Sequence, residues 1–192
     1  MTAGTDEYPY QEQETINLDL TLSQFGFPLD GIVVKSSPIV ADLNSDGVKE
    51  IYFGSDNEAL HGYNSFGEEI DGFPFQSTDR VRSSPAVGDV DNDGQMEIVF
   101  GNSSGKLYIV NHDGSRKLAY TLLGFVEGTP ALVDVDGDQD LEIFFTTTTT
   151  SGGQLYAIHH NGITMSGFPK ELGSMWTGPA VHDIDNDGIH DI

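Results

Sequence analysis

At 192 residues the chain is long enough to bury a substantial core, as one domain or as a short repeat array. Its 31 acidic residues against 8 basic ones leave a formal charge of −23, which argues against nucleic acid or anionic membrane as partners because both need a basic patch. Aromatics at 10% and frequent β-branched runs oppose a disordered acidic chain, which leaves a halophile-like surface or carboxylates gathered by bound cations.

The absence of cysteine excludes disulfides and thiolate metal sites. Nothing resembles a transmembrane span. Residues 1–24 lack the basic and apolar regions of a secretion signal and are expected to be an extension, partly extended or disordered. An exported chain whose signal had been removed would look the same.

From there on the sequence repeats. SSPIVADLNSDGVKEIYF at 36–53 returns as SSPAVGDVDNDGQMEIVF at 83–100, as GTPALVDVDGDQDLEIFF at 128–145 and as TGPAVHDIDNDGIHDI at 177–192. Asp42, Asp89, Asp134 and Asp183 keep the phase in steps of 47, 45 and 49 residues, and Gly-Phe-Pro recurs at Gly26, Gly72 and Gly167. Within one period a Pro (Pro38, Pro85, Pro130, Pro179) opens an apolar run that reads as a first strand. The acidic loop follows, then a second strand such as Glu-Ile-Val-Phe. A third strand, beginning at Leu107 or Leu155, ends at Asp113-Gly114 or Asn161-Gly162, pairs that supply the positive φ angles of a tight hairpin. A fourth, weaker strand runs towards Gly-Phe-Pro.

No stretch keeps a helical period for three turns, so the expected fold is all-β, in blades of four antiparallel strands like those of a β-propeller. Residues 25–192 would hold three whole blades and a partial blade at each end. Most closed propellers need more, so a fragment, a ring completed by a second copy and an open stack all remain open.

In each loop, oxygen-bearing side chains fall at positions 1, 3, 5 and 9. They are Asp42, Asn44, Asp46 and Glu50; Asp89, Asp91, Asp93 and Glu97; Asp134, Asp136, Asp138 and Glu142; and Asp183, Asp185, Asp187 and Asp191. The backbone carbonyl at position 7 (Val48, Gln95, Asp140, Ile189) would add a ligand. Calcium takes six to eight oxygens in irregular geometry, whereas magnesium wants a stricter octahedron, so up to four calcium ions are expected. Fifteen of the 31 acids sit at these positions, and packing them without a cation would be repulsive, which turn propensity alone does not explain. An EF-hand needs Glu at position 12, where this chain has Phe53, Phe100 and Phe145. The third loop departs from its sisters at Gln139, which stands where the bend favours Gly.

On these loops and the strands that follow them, the chain resembles the FG-GAP/VCBS-type calcium-binding repeats of integrin-α-like β-propellers over roughly residues 25–192. The resemblance implies about seven blades around an axis, with each calcium held between the first two strands by the residues at positions 1, 3, 5 and 9. The chain departs from the family in its low blade count and at Phe144-Phe-Thr-Thr, which replaces the Phe-Gly of Phe53-Gly54 and Phe100-Gly101. Similar repeats serve secreted and surface proteins as adhesion or substrate-binding modules and as parts of polysaccharide-degrading enzymes.

No catalytic constellation stands out. The six histidines (His61, His112, His159, His160, His182, His190) read as ordinary surface or turn residues, and the threonine run at 146–150 as an edge strand and loop, with O-glycosylation or a binding fringe as the alternative. Four residues before each Pro stand Val34, Val81, Val126 and Met175, always apolar and expected in the core. Three before it stand Lys35, Arg82, Glu127 and Trp176, which share no chemistry and mark a candidate ligand surface opposite the calcium loops. The leading expectation is a non-enzymatic, extracellular, calcium-stabilised module binding protein or glycan, without nucleic acid or membrane insertion. A portion of a secreted polysaccharide lyase or hydrolase, and a structural subunit self-associating through blade completion, are the alternatives.

Overall fold

Period-two alternation decides the strands, and burial on both faces decides the architecture. In Glu97–Gly101 the side chains of Ile98 and Phe100 point one way and Val99 the other, and all three are fully buried because each face meets another sheet. The computed structural model describes residues 26, 27 and 29–192, so the extension expected at 1–24 and Pro28 of the first Gly-Phe-Pro lie outside the described residues.

Three sheets result, each a four-stranded antiparallel meander. The first holds β1 (Ile39–Ala41), β2 (Glu50–Gly54), β3 (Ala59–Tyr63) and β4 (Phe75–Gln76). The second holds β5 (Ala86–Gly88), β6 (Glu97–Gly101), β7 (Lys106–Asn111) and β8 (Arg116–Thr121). The third holds β9 (Ala131–Val133), β10 (Glu142–Thr149), β11 (Gly152–Ile158) and β12 (Lys170–Leu172). These are propeller blades, and among the described residues they stack without closing into a ring. The fourth repeat contributes a bridge between His182 and Asp191.

The core lies in two seams between blades. Leu43, Tyr52 and Leu60 meet Ile98, Phe100 and Tyr108 in the first, while Val99, Leu107 and Ile109 meet Ile143, Phe145 and Ile158 in the second. Each such side chain is worth about 1.5–3 kcal/mol when fully buried, so a blade is stabilised chiefly by its neighbours. The first strands line the inner side, where β5 and β9 touch.

Gly-Phe-Pro gains a structural reason here. A Cβ on Gly72 would stand 2.1 Å from the carbonyl oxygen of Asp113, in the turn between β7 and β8 of the next blade. Gly26 meets Phe66 in the same way. The second repeat lacks the marker, and Gly162 instead faces the side chain of Leu118.

Two expectations are corrected. The threonine run is not an edge strand: β10 lies between β9 and β11, and Thr146, Thr147 and Thr148 are buried. Two of the hydroxyls find backbone acceptors, Thr146 Oγ1 donating to Thr177 O and Thr148 Oγ1 to Met175 O, while Thr147 Oγ1 is buried without a hydrogen-bond partner. That burial also removes these three from any glycosylated fringe. Val81 and Val126 are fully buried as expected, but Val34 is 42% exposed because it lies on the outer side of the first blade, with Ser55 its bridge partner.

Candidate metal centres and the opposite mouth

The acidic loops join the first strand of each blade to the second, and their backbone explains the spacing. Positions 4 and 6 are both left-handed in every loop, at Ser45 and Gly47, Asn92 and Gly94, Gly137 and Gln139, and Asn186 and Gly188. Two such reversals within three residues coil the loop so that the side chains of positions 1, 3 and 5 turn inwards. Gly47, Gly94 and Gly188 have open space where a Cβ would go, so glycine is favoured there by φ alone. The third loop keeps the same shape with Gln139 at φ 81°, at a cost of about 1–2 kcal/mol. Glycine at this position would remove that strain but free the unfolded chain, so Gln139→Gly is expected to stabilise by about 0.5–1 kcal/mol, read as a small rise in melting temperature.

Each loop holds its first carboxylate by backbone N–H groups. Asp42 accepts from Asp46 and Gly47 at 3.1 and 2.9 Å, Asp89 from Asp93 and Gly94 at 3.0 and 2.9 Å, and Asp183 from Asp187 and Gly188 at 3.1 and 2.9 Å. In the third loop Asp134 accepts from Gly137 and Gln139 at 2.6 and 3.1 Å. The position-7 N–H donates to the position-5 carboxylate in all four. The acid at position 9 opens the second strand and reaches back, with Glu97 accepting from Val90 N, Glu142 from Val135 N and Asp191 from Ile184 N.

Carboxylate oxygens of Asp89, Asp91 and Glu97 come within 4.8 Å of one another, as do those of Asp134, Asp136 and Asp138 and of Asp183, Asp185 and Asp191, so these groups could hold a metal ion. The first loop, with Asn44 in place of an acid, forms no such triad, and Asn44 Nδ2 donates to Asp46 Oδ2 at 3.0 Å.

Three residues missed in the sequence complete the picture. Lys117 reaches from β8 into the second loop, its Nζ 2.5 Å from Asp91 Oδ2 and 3.1 Å from Glu97 Oε1. Burial pulls its pKa down, but those two bonds outweigh it and leave the ammonium more tightly protonated than usual. In the third loop His159 Nδ1 lies 3.0 Å from Glu142 Oε1, and His160 Nδ1 lies 2.8 Å from Asp140 Oδ2. His159 joins Asp136 and Glu142 in a further group able to hold a metal. For His159 the cross-strand register is the cause: pairing of Ile143 with Ile158 sets it opposite Glu142.

Burial raises the pKa of Glu50, Glu97 and Glu142, in Glu97 against the opposing pull of the Val90 N–H and Lys117. A carboxyl with a raised folded pKa binds protons more readily when folded, so stability falls as pH rises through that window. The ion-free chain is therefore expected to melt higher at about pH 5 than at pH 7, read by circular dichroism in chelator. Asp56 and Asp113 have the opposite linkage, held low by hydrogen bonds from Arg82 and Ser115, and act only below the ordinary Asp range.

The chain before each first strand lies at the other end of the blade from the acidic loop, since β1, β5 and β9 run from one to the other. There Lys35, Arg82, Glu127 and Trp176 converge on one cavity of about 370 Å³. Arg82 forks onto Asp56 at 2.7 and 3.1 Å, and Glu127 accepts from Ser103 Oγ at 2.7 Å. Trp176 is 60% exposed and lies nearly parallel to Phe125, ring centroids 6.4 Å apart. Among the described residues no helix is long and apolar enough to cross a membrane.

The family model described as FG-GAP-like repeat matches residues 42–100, 89–145 and 134–192, each match running from one acidic loop past the next. No curated protein matches the chain. Among solved structures, BBS1N, from a crystal structure in complex with ARL6DN soaked with lead, aligns at 14% identity and a TM-score of 0.54, covering 78% of this chain and 49% of that one. The biofilm matrix protein Bap1 of V. cholerae aligns at 19% identity and a TM-score of 0.40, covering 67% of this chain and 27% of its own. The chain thus spans about half of the first and about a quarter of the second. At such identities the first likeness speaks to the fold alone.

Proposed function

The chain belongs to the FG-GAP-like repeat family, and on that premise we propose that it is a calcium-stabilised, non-enzymatic, extracellular β-propeller module that binds a protein or glycan ligand on the face away from its acidic loops. The observation that carries this reading is the fourfold recurrence of one acidic loop, with the position-1 carboxylate held by loop N–H groups and the position-5 carboxylate turned inwards by the position-7 N–H. These bonds orient oxygens before an ion arrives, which lowers the ordering cost of binding.

Asp42, Asn44, Asp46 and Glu50, and their counterparts in the other three loops, would hold the ions, with the carbonyls of Val48, Gln95, Asp140 and Ile189 as further donors. The hard oxygen set and its irregular coil suit calcium better than magnesium. The second loop takes an ion only if the Lys117 ammonium swings out, which its flexible stem permits. An extracellular site sees millimolar calcium, so modest affinity suffices for saturation. Thermal unfolding in calcium and in chelator tests this half of the reading, and an unchanged melt overturns it.

The ligand half rests on the convergence of Lys35, Arg82, Glu127 and Trp176 at one mouth, from four successive repeats and with both charge signs and an exposed indole. Ligand sites are characteristically concave, with a few placed polar groups.

A further inference from the structure

We infer that the mouth lined by Lys35, Arg82, Glu127 and Trp176 binds an acidic saccharide, a uronate unit of a glycan, an assignment that deepens the binding role proposed above and rests on it. The indole of Trp176 is held in plane by Phe125 behind it and leaves its other face open. A flat, exposed aromatic plate of this kind packs against the C–H face of a pyranose ring. The cavity of about 370 Å³ lies at the small end of ligand pockets, on the scale of one or two sugar rings rather than a protein surface.

The charges narrow the class. In a chain of net charge −23, two of the eight basic residues meet here. Lys35 makes no ion pair within 4.0 Å among the described residues; its charge acts on the Asp56 carboxylate only from a distance, and its ammonium donors stay available. Arg82 commits Nε and one terminal nitrogen to Asp56, which fixes its plane and leaves further N–H donors. Together they suit a ligand carboxylate. Glu127 spends one oxygen on Ser103 and keeps acceptor capacity, which would repel a simple inorganic anion but accepts hydroxyl protons. A uronate carries both groups on one ring: a carboxylate for Lys35 and Arg82, and hydroxyls for Glu127.

A peptide fits less well. Extended peptides are commonly bound by adding a strand to a free backbone edge. Around this mouth that edge is consumed between blades, Val81 N donating to Ser55 O, Ser103 N to Arg80 O, and Val126 N to Asn102 O. Side chains alone present themselves.

The chain has a single tryptophan, so its emission reports on Trp176 and nothing else. The full chain in millimolar calcium is titrated with trigalacturonate, with neutral maltotriose and with a triaspartate peptide, and Trp176 emission is followed. The expected result is a saturable change with trigalacturonate only, weakened at least about tenfold by Lys35→Met, a substitution at an exposed side chain. Arg116→Met, which removes an equal charge from an exposed position at the start of β8, is expected to leave that affinity unchanged, which excludes a loss through net charge alone. An equal response to maltotriose, or one to triaspartate alone, overturns the uronate assignment while the binding role survives. No response to any of the three overturns the uronate assignment, and the calcium dependence of melting remains a separate measurement.

Discussion

In excess EDTA the chain is expected to melt at least about 15 °C lower than in millimolar calcium. An ion that binds only the folded chain adds about 2.7 kcal/mol per site at a hundredfold excess over its dissociation constant. Three occupied loops would then contribute about 8 kcal/mol, and a chain of this length shifts by about 2–4 °C for each kcal/mol. The ion-free state is also penalised from within, since the acids of three loops crowd to within 4.8 Å of one another. Magnesium at the same concentration should restore less of the melt, because the irregular loops cannot offer a strict octahedron. The second loop should contribute least, since Lys117 already neutralises part of its charge when no ion is bound. The pH slope must also reverse with the ion. Without calcium, mild acid relieves the buried glutamates; with it, protons compete for the same oxygens, and acid destabilises.

The repeat made the blades legible in the sequence, because a strand–loop–strand unit that returns in phase fixes strand order without any tertiary information. The convergence of Lys35, Arg82, Glu127 and Trp176 was legible for the same reason: equivalent positions in stacked blades must point to one place. What resisted reading was cross-strand register. Glu142 and His159 stand 17 residues apart and face each other, while Glu97 and Asn111 do so at 14, because the hairpin of β10 and β11 is longer. Its turn follows five threonines and carries no Asn-Gly or Asp-Gly pair to mark it, so neither the length of β10 nor the approach of His159 could be placed. Lys117 escaped for a different reason. A lysine two residues into a fourth strand has no sequence pattern that separates solvent from an acidic loop 20 residues away.

Gly101→Ala is expected to cost about 3 kcal/mol and lower the melt by about 6–12 °C, in calcium and in EDTA alike. A Cβ there would stand 2.3 Å from both the carbonyl oxygen and Cγ1 of Val126, where ordinary contact begins at 3.4 Å. Val126 cannot retreat, because it is fully buried and its N–H is bonded to Asn102 O at 3.0 Å. Gly54 meets Val81 in the same way at the preceding seam, so the clash tests how blades join and not a local accident. Gly173→Ala is the control: no atom lies within 4 Å of its Cβ position, and a change beyond about 0.5 kcal/mol would refute the steric account. Gly101 ends β6, whose first residue is the loop acid Glu97, so seam and loop lie about 13 Å apart along one strand. At that separation the loss from alanine and the loss from chelation should add. Strict addition would mean that calcium holds the loop end of each blade while packing alone holds the mouth end. A larger combined loss would mean that the ion also tightens the seam, and therefore the mouth where Arg82 and Glu127 stand.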